Sequence, residues 1–190
     1  MTMNVVGLVL AGLLQTAASL FEVGLWPGEG RPVFEANGPV QLRTQPTSAA
    51  EVTSVLNVPP GERLTFDDTV YRTVTPGLFR ARRTSVVKGR DLGSLTTLSR
   101  MAYYTGRFDR VELPVSEGEA IEYLQYRAEG TCFVRLRSRI IDAHMCPSES
   151  PDDFEMRSKP AVEWWIHLAG GRGGWVIVSP ETVKEVDRQG

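Results

Sequence analysis

Two cysteines, two histidines, two acidic doublets and one basic, tyrosine-bearing stretch hold most of the reactive chemistry in this chain. In an exported protein the even pair Cys132 and Cys146 reads as one disulfide. In a reducing compartment the same residues read as two free thiols. Taken with His144 they become three soft ligands, one fewer than a structural zinc site uses and without finger-like spacing. Closing so short a loop as a disulfide is worth on the order of 3 kcal/mol in the chain-entropy account. A thiol nucleophile needs a histidine base held by a third polar group. His144 lies near Cys146 in sequence, whereas His167 alternates with apolar neighbours, as a solvent-facing strand residue does. The chain is also shorter than the usual cysteine-peptidase fold. Asp67-Asp68 and Asp152-Asp153 are adjacent residues, which on a strand point to opposite faces. Neither doublet can therefore straddle a glycosidic bond as two catalytic carboxylates must. The expectation is no catalytic residue, no metal centre and no cofactor.

The basic stretch runs from Arg80 to Arg110 and holds eight Lys or Arg against Asp91 and Asp109, a balance of +6, with Tyr103 and Tyr104 inside it. Basic residues interleaved with aromatics suit a single-stranded nucleic-acid groove. The whole chain carries a net charge of −2, which argues against a dedicated nucleic-acid binder. Outside the cytosol such a stretch meets anionic headgroups or wall polymers, or is a solvated face balanced by the acidic second half.

The elements that must position these residues are strands. Trp164, Ile166 and Leu168 alternate with Trp165, His167 and Ala169, a period of two. Gly170 to Gly174 allow a reversal, Trp175 to Val178 returns, and Ser179-Pro180 stops the run, which predicts a β-hairpin carrying three tryptophans. Trp164 and Trp165 then point to opposite faces. One is a core ring, and the other lines a groove with Trp175 or Tyr126 or packs between modules. Short β-branched runs separated by Pro59-Pro60-Gly61 and Thr75-Pro76-Gly77 extend the pattern backwards, and Cys132 is expected in a hairpin turning through Arg137 to Arg139. Helical spacing is confined to Ser94–Tyr104, good for one or two turns, and to a closing segment with Ser179 as N-cap and Pro180 at the first position.

Residues 1–19 carry no charged side chain, and Val5 to Leu14 followed by Thr16 to Ser19 reads as a secretory signal peptide, although its first residues lack Lys or Arg. A buried N-terminal helix is the other reading. No later stretch approaches the ~18–20 apolar residues that cross a bilayer, so no integral membrane segment is expected after leader removal. Gly61 to Phe66 resembles Gly118 to Tyr123, Tyr71-Arg72 answers to Tyr126-Arg127, and Phe79, Arg83, Val86 and Val87 answer to Phe133, Arg137, Ile140 and Ile141. A duplication follows from that register. The expected layout is a leader at 1–19, an arm at 20–38, and modules at 39–115 and 116–190.

Residues 117–187 resemble the bacterial SH3-like modules of envelope proteins. The resemblance rests on Gly130 to Arg135, Ile140 to Ala143, Trp164-Trp165-Ile166 and Gly173-Gly174-Trp175-Val176. The first half is similar only through Val40 to Pro46, and the insert from Pro147 to Lys159 is longer than the family's usual loop. Such modules commonly bind wall peptides or target a neighbouring enzyme. The resemblance implies an all-β protein of two small SH3-like barrels, periplasmic or secreted. Its expected function is non-catalytic binding of a peptide or cell-wall fragment through Trp164, Trp165, Trp175 and Tyr126. The alternative is a structural partner for another envelope protein, and a thiol hydrolase is the third class. No nucleic-acid partner is expected.

Overall fold

The structure is a computed structural model that describes residues 21–28, 30–170 and 173–189; the expected leader lies outside them. Strands dominate, as the period-two runs and frequent turn residues require, so the all-β expectation holds. In chain order they are β1 (Phe21–Val23), β2 (Arg31–Ala36), β3 (Val40–Arg43), β4 (Val52–Leu56), β5 (Arg63–Leu64), β6 (Phe66–Thr75), β7 (Gly77–Ala81), β8 (Ser85–Asp91) and β9 (Thr97–Leu98). The helix α1 (Arg100–Thr105) follows, then β10 (Arg110–Val115), β11 (Ala120–Tyr126), β12 (Cys132–Leu136), β13 (Arg139–Ala143), β14 (Phe154–Ser158), β15 (Ala161–Leu168), β16 (Trp175–Val178) and β17 (Val183–Gln189).

The strands form a seven-stranded sheet ordered β4-β3-β16-β15-β6-β1-β9, a second ordered β10-β8-β13-β12-β11-β7-β14, and a three-stranded sheet ordered β17-β2-β5. No sheet closes into a barrel. Between residues 77 and 158 the chain builds the second sheet, apart from β9, which pairs with β1 at the edge of the first; the flanking stretches build the rest of the first sheet and the third. A division at residue 115 therefore falls inside one sheet, since β10 and β11 both belong to it. The two lengths that resemble each other also pair with each other, Phe79 of β7 lying opposite Ile121 of β11. The residues behind the SH3-like resemblance are split in the same way, with β12 and β13 in one sheet and β15 and β16 in the other. The cause is long-range pairing: β6 takes β15 as its partner along almost its whole length, Trp164 opposite Tyr71 and Trp165 opposite Val70.

The chain leaves the first sheet at Pro76 and returns at Pro160, and the two crossings touch. A Cβ on Gly77 would meet Ser158 O at 2.5 Å and Pro160 N at 2.7 Å, so that crossing requires glycine. The expected arm is structured, because β1 and β2 bury Phe21 and Phe34 completely. The closing segment starts as expected, with Thr182 N and Val183 N both donating to Ser179 O, and then leaves helical geometry. Val183 is wholly buried opposite Ala36, and the rest of β17 pairs with β2. Tertiary pairing overrides the local capping signal there.

Three clusters make the core. Phe79, Ile121, Val134 and Ile141 centre one within the second sheet, and Phe34, Phe66, Ile166 and Val176 centre another between the first and third sheets. The third joins Phe21 and Leu98 of the first sheet to Leu124, Phe133 and Ile140 of the second. Buried polar groups cross the same seam: Gln125 Nε2 donates to Phe21 O and Tyr71 O, and Thr73 Oγ1 donates to Leu124 O. The seam is thus a packed, hydrogen-bonded junction, and the candidate site opens at one end of it.

Candidate functional site

The expected hairpin is present, with β15 and β16 antiparallel and Trp164 opposite Val178, Trp165 opposite Ile177 and His167 opposite Trp175. Directly opposed residues share a face. Trp164 therefore lies on the face of Ile166 and Val176, and Trp165 and Trp175 lie on the other. Trp164 packs edge-on against Phe34 and Tyr71, and its indole N–H donates to Thr69 Oγ1 at 2.8 Å. Trp165 is 1% exposed and donates to Glu163 Oε2, so a ligand cannot reach its ring. Trp175 sits 5.3 Å from the His167 ring, and His167 Nδ1 is 2.7 Å from Asp67 Oδ1. Tyr126 belongs to the other sheet, where its hydroxyl accepts from Gly130 N. The four residues expected to form one platform are thus spread over two faces and two sheets, and Trp165 is corrected to a core residue.

Cys132 and Cys146 form a disulfide with their Cα atoms 5.1 Å apart, both wholly buried. The bond ties β12 to the residue run after β13, across the hairpin that turns at Arg137 and Ser138, both at positive φ. Beside it Cys146 N donates to Gly130 O at 2.6 Å. Together they fix the turn between β11 and β12, where Arg127 N donates to Thr131 O and Thr131 N to Ala128 O. That turn is one wall of a cavity.

The cavity measures ≈ 550 Å³ and opens where the loop after β1, the helix α1 and the β11–β12 turn converge. Trp26 comes from the first segment and Arg31 from the start of β2 that follows it, Arg100, Tyr103 and Tyr104 come from the second, and Arg127 and Glu129 from the third. Each wall is anchored. Gly28 N donates to Arg127 O, and Arg188 Nη1 donates to Pro27 O at 2.6 Å, which pins the loop that carries Trp26. Ser99 caps α1 by accepting from Ala102 N; of the Ser94–Tyr104 stretch expected to make one or two helical turns, the second half is helical and the first half carries β9 instead. Arg127 is held from beneath by Asp142, which is 2% exposed, with Nε 3.5 Å from Oδ1. Asp142 Oδ2 also accepts from Arg90 at 2.9 and 2.6 Å, and both guanidiniums lie over the Tyr103 ring. Burial, with the Asp142 charge adding to it, pushes the Tyr103 hydroxyl above its ordinary pKa, so it stays a neutral floor to the cavity.

Arg100 differs from its neighbours. Its guanidinium lies 4.2 Å from the Trp26 ring centre and 6.0 Å from that of Tyr104, and it has no carboxylate partner among the described residues. Tyr104 is 67% exposed at the rim. Of the basic stretch seen in the sequence, Arg100 alone lines the cavity; Lys88, Arg83 and Arg90 are occupied by Glu112, Asp153 and Asp142. The sequence reading singled out Arg100, Tyr103 and Tyr104 as a segment but missed Trp26, Arg31, Arg127 and Glu129. Trp26 was the available signal, a large aromatic in an otherwise Gly- and Pro-rich run.

Compared with protein-family models, with curated proteins and with solved structures, the chain shows no match. Among the described residues no helix is long and apolar enough to cross a membrane.

Proposed function

We propose that this is a non-catalytic binding protein of the bacterial envelope, periplasmic or secreted, that recognises a peptide or cell-wall fragment in the cleft between its two large sheets. The observation that carries the reading is the cavity itself, in which indole and phenol faces stand beside guanidiniums at a junction of two sheets. Binding sites favour such junctions, and a few polar groups set among aromatic faces fix a ligand's orientation. The buried disulfide suits an oxidising compartment, as does the apolar leader pattern. The resemblance to bacterial SH3-like modules supports the same reading through the wall-peptide binding it implies, not through a closed barrel.

The rival reading, a structural partner for another envelope protein, draws on Met101 and Tyr104 of α1, exposed to 75% and 67%. Calorimetric titration with a soluble digest of bacterial cell wall separates the two. Binding that is lost in Trp26→Ala and kept in Trp175→Ala supports the cleft. Binding lost in Trp175→Ala and kept in Trp26→Ala returns recognition to the hairpin. No heat with the digest leaves the protein-partner reading.

A further inference from the structure

We propose that the cleft recognises the free carboxylate at the end of a short peptide, with Arg100 as the residue that reads it. The inference rests on the cleft being the binding site and adds the chemical class it selects.

The argument starts from how Arg100 is held. Its guanidinium carbon lies over the Trp26 ring, 4.2 Å from the ring centre, and 6.0 Å from the centre of the Tyr104 ring. A cation–π contact uses no N–H group of the guanidinium, and no carboxylate among the described residues takes one. A planar fork of that kind fits a carboxylate with two parallel hydrogen bonds. Because the Trp26 contact restricts the side chain before any ligand arrives, less side-chain entropy is lost when those bonds form. Arg31 is less available, since its Nη2 already donates to Phe66 O at 2.6 Å. Arg127 is drawn down by Asp142 and contributes positive potential at the floor of the cavity.

The charge pattern selects among anions. The described lining holds three guanidiniums and one carboxylate, Glu129. A polyanion would meet Glu129 and a chain whose net charge is already −2. A peptide end carries one negative group and, next to it, N–H donors. Arg100 and the floor charge suit the first, and Glu129 suits the second. The exposed Tyr104 ring at the rim then supplies apolar contact for the terminal side chain.

The test uses the full chain and two pools of N-acetylated dipeptides, identical except that one has free C-terminal acids and the other C-terminal amides. Saturation-transfer NMR reads which bind, with inorganic phosphate as a competitor and the cell-wall digest as a third ligand. The acid pool should bind about tenfold or more tightly than the amide pool, the scale of one charge-assisted hydrogen-bonded pair. Arg100→Gln and Arg100→Lys should both remove that preference, since lysine restores the charge but not the fork. Acids and amides binding alike would overturn the carboxylate inference while leaving the cleft in place. Millimolar phosphate displacing the acid pool would overturn it too, because the site would then hold any oxyanion. Digest binding with neither pool bound would have the same consequence. Binding of none of the ligands would remove the cleft reading as well.

Discussion

The tryptophans of the β15–β16 hairpin and the tryptophan of the loop after β1 are used in opposite ways. The hairpin lies in the interior of a seven-stranded sheet, flanked by β3 and β6, and two of its three indole rings are drawn into the fold, while Trp175 is half-buried beside His167. Trp165 is fully buried, Trp164 is wedged between Phe34 and Tyr71, and their indole N–H groups are satisfied internally. Trp26 sits in a loop, half-buried against the core through Phe66, with its other flank facing a cavity, where it carries Arg100. A regular strand inside a sheet has two faces, and both were needed for packing here. An irregular segment, tied at Gly28 and Pro27, could leave an aromatic face open. Aromatic density alone is therefore a poor guide to recognition in such a protein; the local backbone decides whether a ring is spent on packing or displayed.

The contrast can be broken experimentally, and the largest effect belongs to the hairpin. Trp165→Ala should cost about 3–5 kcal/mol of unfolding free energy, the scale of a large ring deleted from a core, as read from denaturant midpoints. A loss below about 1 kcal/mol would mean the ring is not packed as described.

Reduction of Cys132–Cys146 comes next. It should cost about 3 kcal/mol on the chain-entropy scale. It should also weaken cleft binding, since the disulfide and the Cys146 N to Gly130 O bond hold the turn that carries Arg127 and Glu129. Melting curves and titrations with and without reductant test both effects, and destabilisation without loss of binding would separate the disulfide from the cleft wall.

Alkaline pH probes the buried phenols. Burial raises the pKa values of Tyr71 and Tyr103 and pushes Tyr123 to about 12, against an ordinary 10.0. Below pH 10 the phenols are neutral in both states and their contribution to stability is intact. Above it the unfolded chain ionises first, so stability should fall as pH rises from about 10 to about 12. A flat melting temperature across that window would contradict the burial of these groups. The smallest stability effect is expected at the cleft itself: Trp26→Ala should cost about 1 kcal/mol, the order of one aromatic pair, while removing ligand binding.

Much of the local structure was legible in the residues. Strand periodicity gave the β15–β16 hairpin, the Cys132 hairpin with its turn at Arg137, and an all-β fold. The cysteine pair was legible because an even count in an exported chain reads as one bond, and the expected hairpin through Arg137 carries the chain back past Cys132. What pairs with what over long distance was not legible. Nothing in Phe66–Thr75 announces that its partner is Ala161–Leu168, because many β-branched strands are equally compatible neighbours. That one pairing nests the second sheet within the first and cuts across the expected boundary at residue 115. The cleft was half legible for the same reason. Arg100 and Tyr104 stood out in their segment, but Trp26 and Arg127 reach them only through the seam that packs Phe21 against Phe133.

The most direct test of this division of labour is the set of indole N–H signals in a nitrogen-15 correlation spectrum, assigned by single Trp→Phe changes and followed during titration with the cell-wall digest. The account predicts that the Trp26 signal moves with saturable ligand dependence while those of Trp164, Trp165 and Trp175 stay in place. Movement of the Trp175 or Trp164 signal with Trp26 unmoved would contradict it and return recognition to the hairpin.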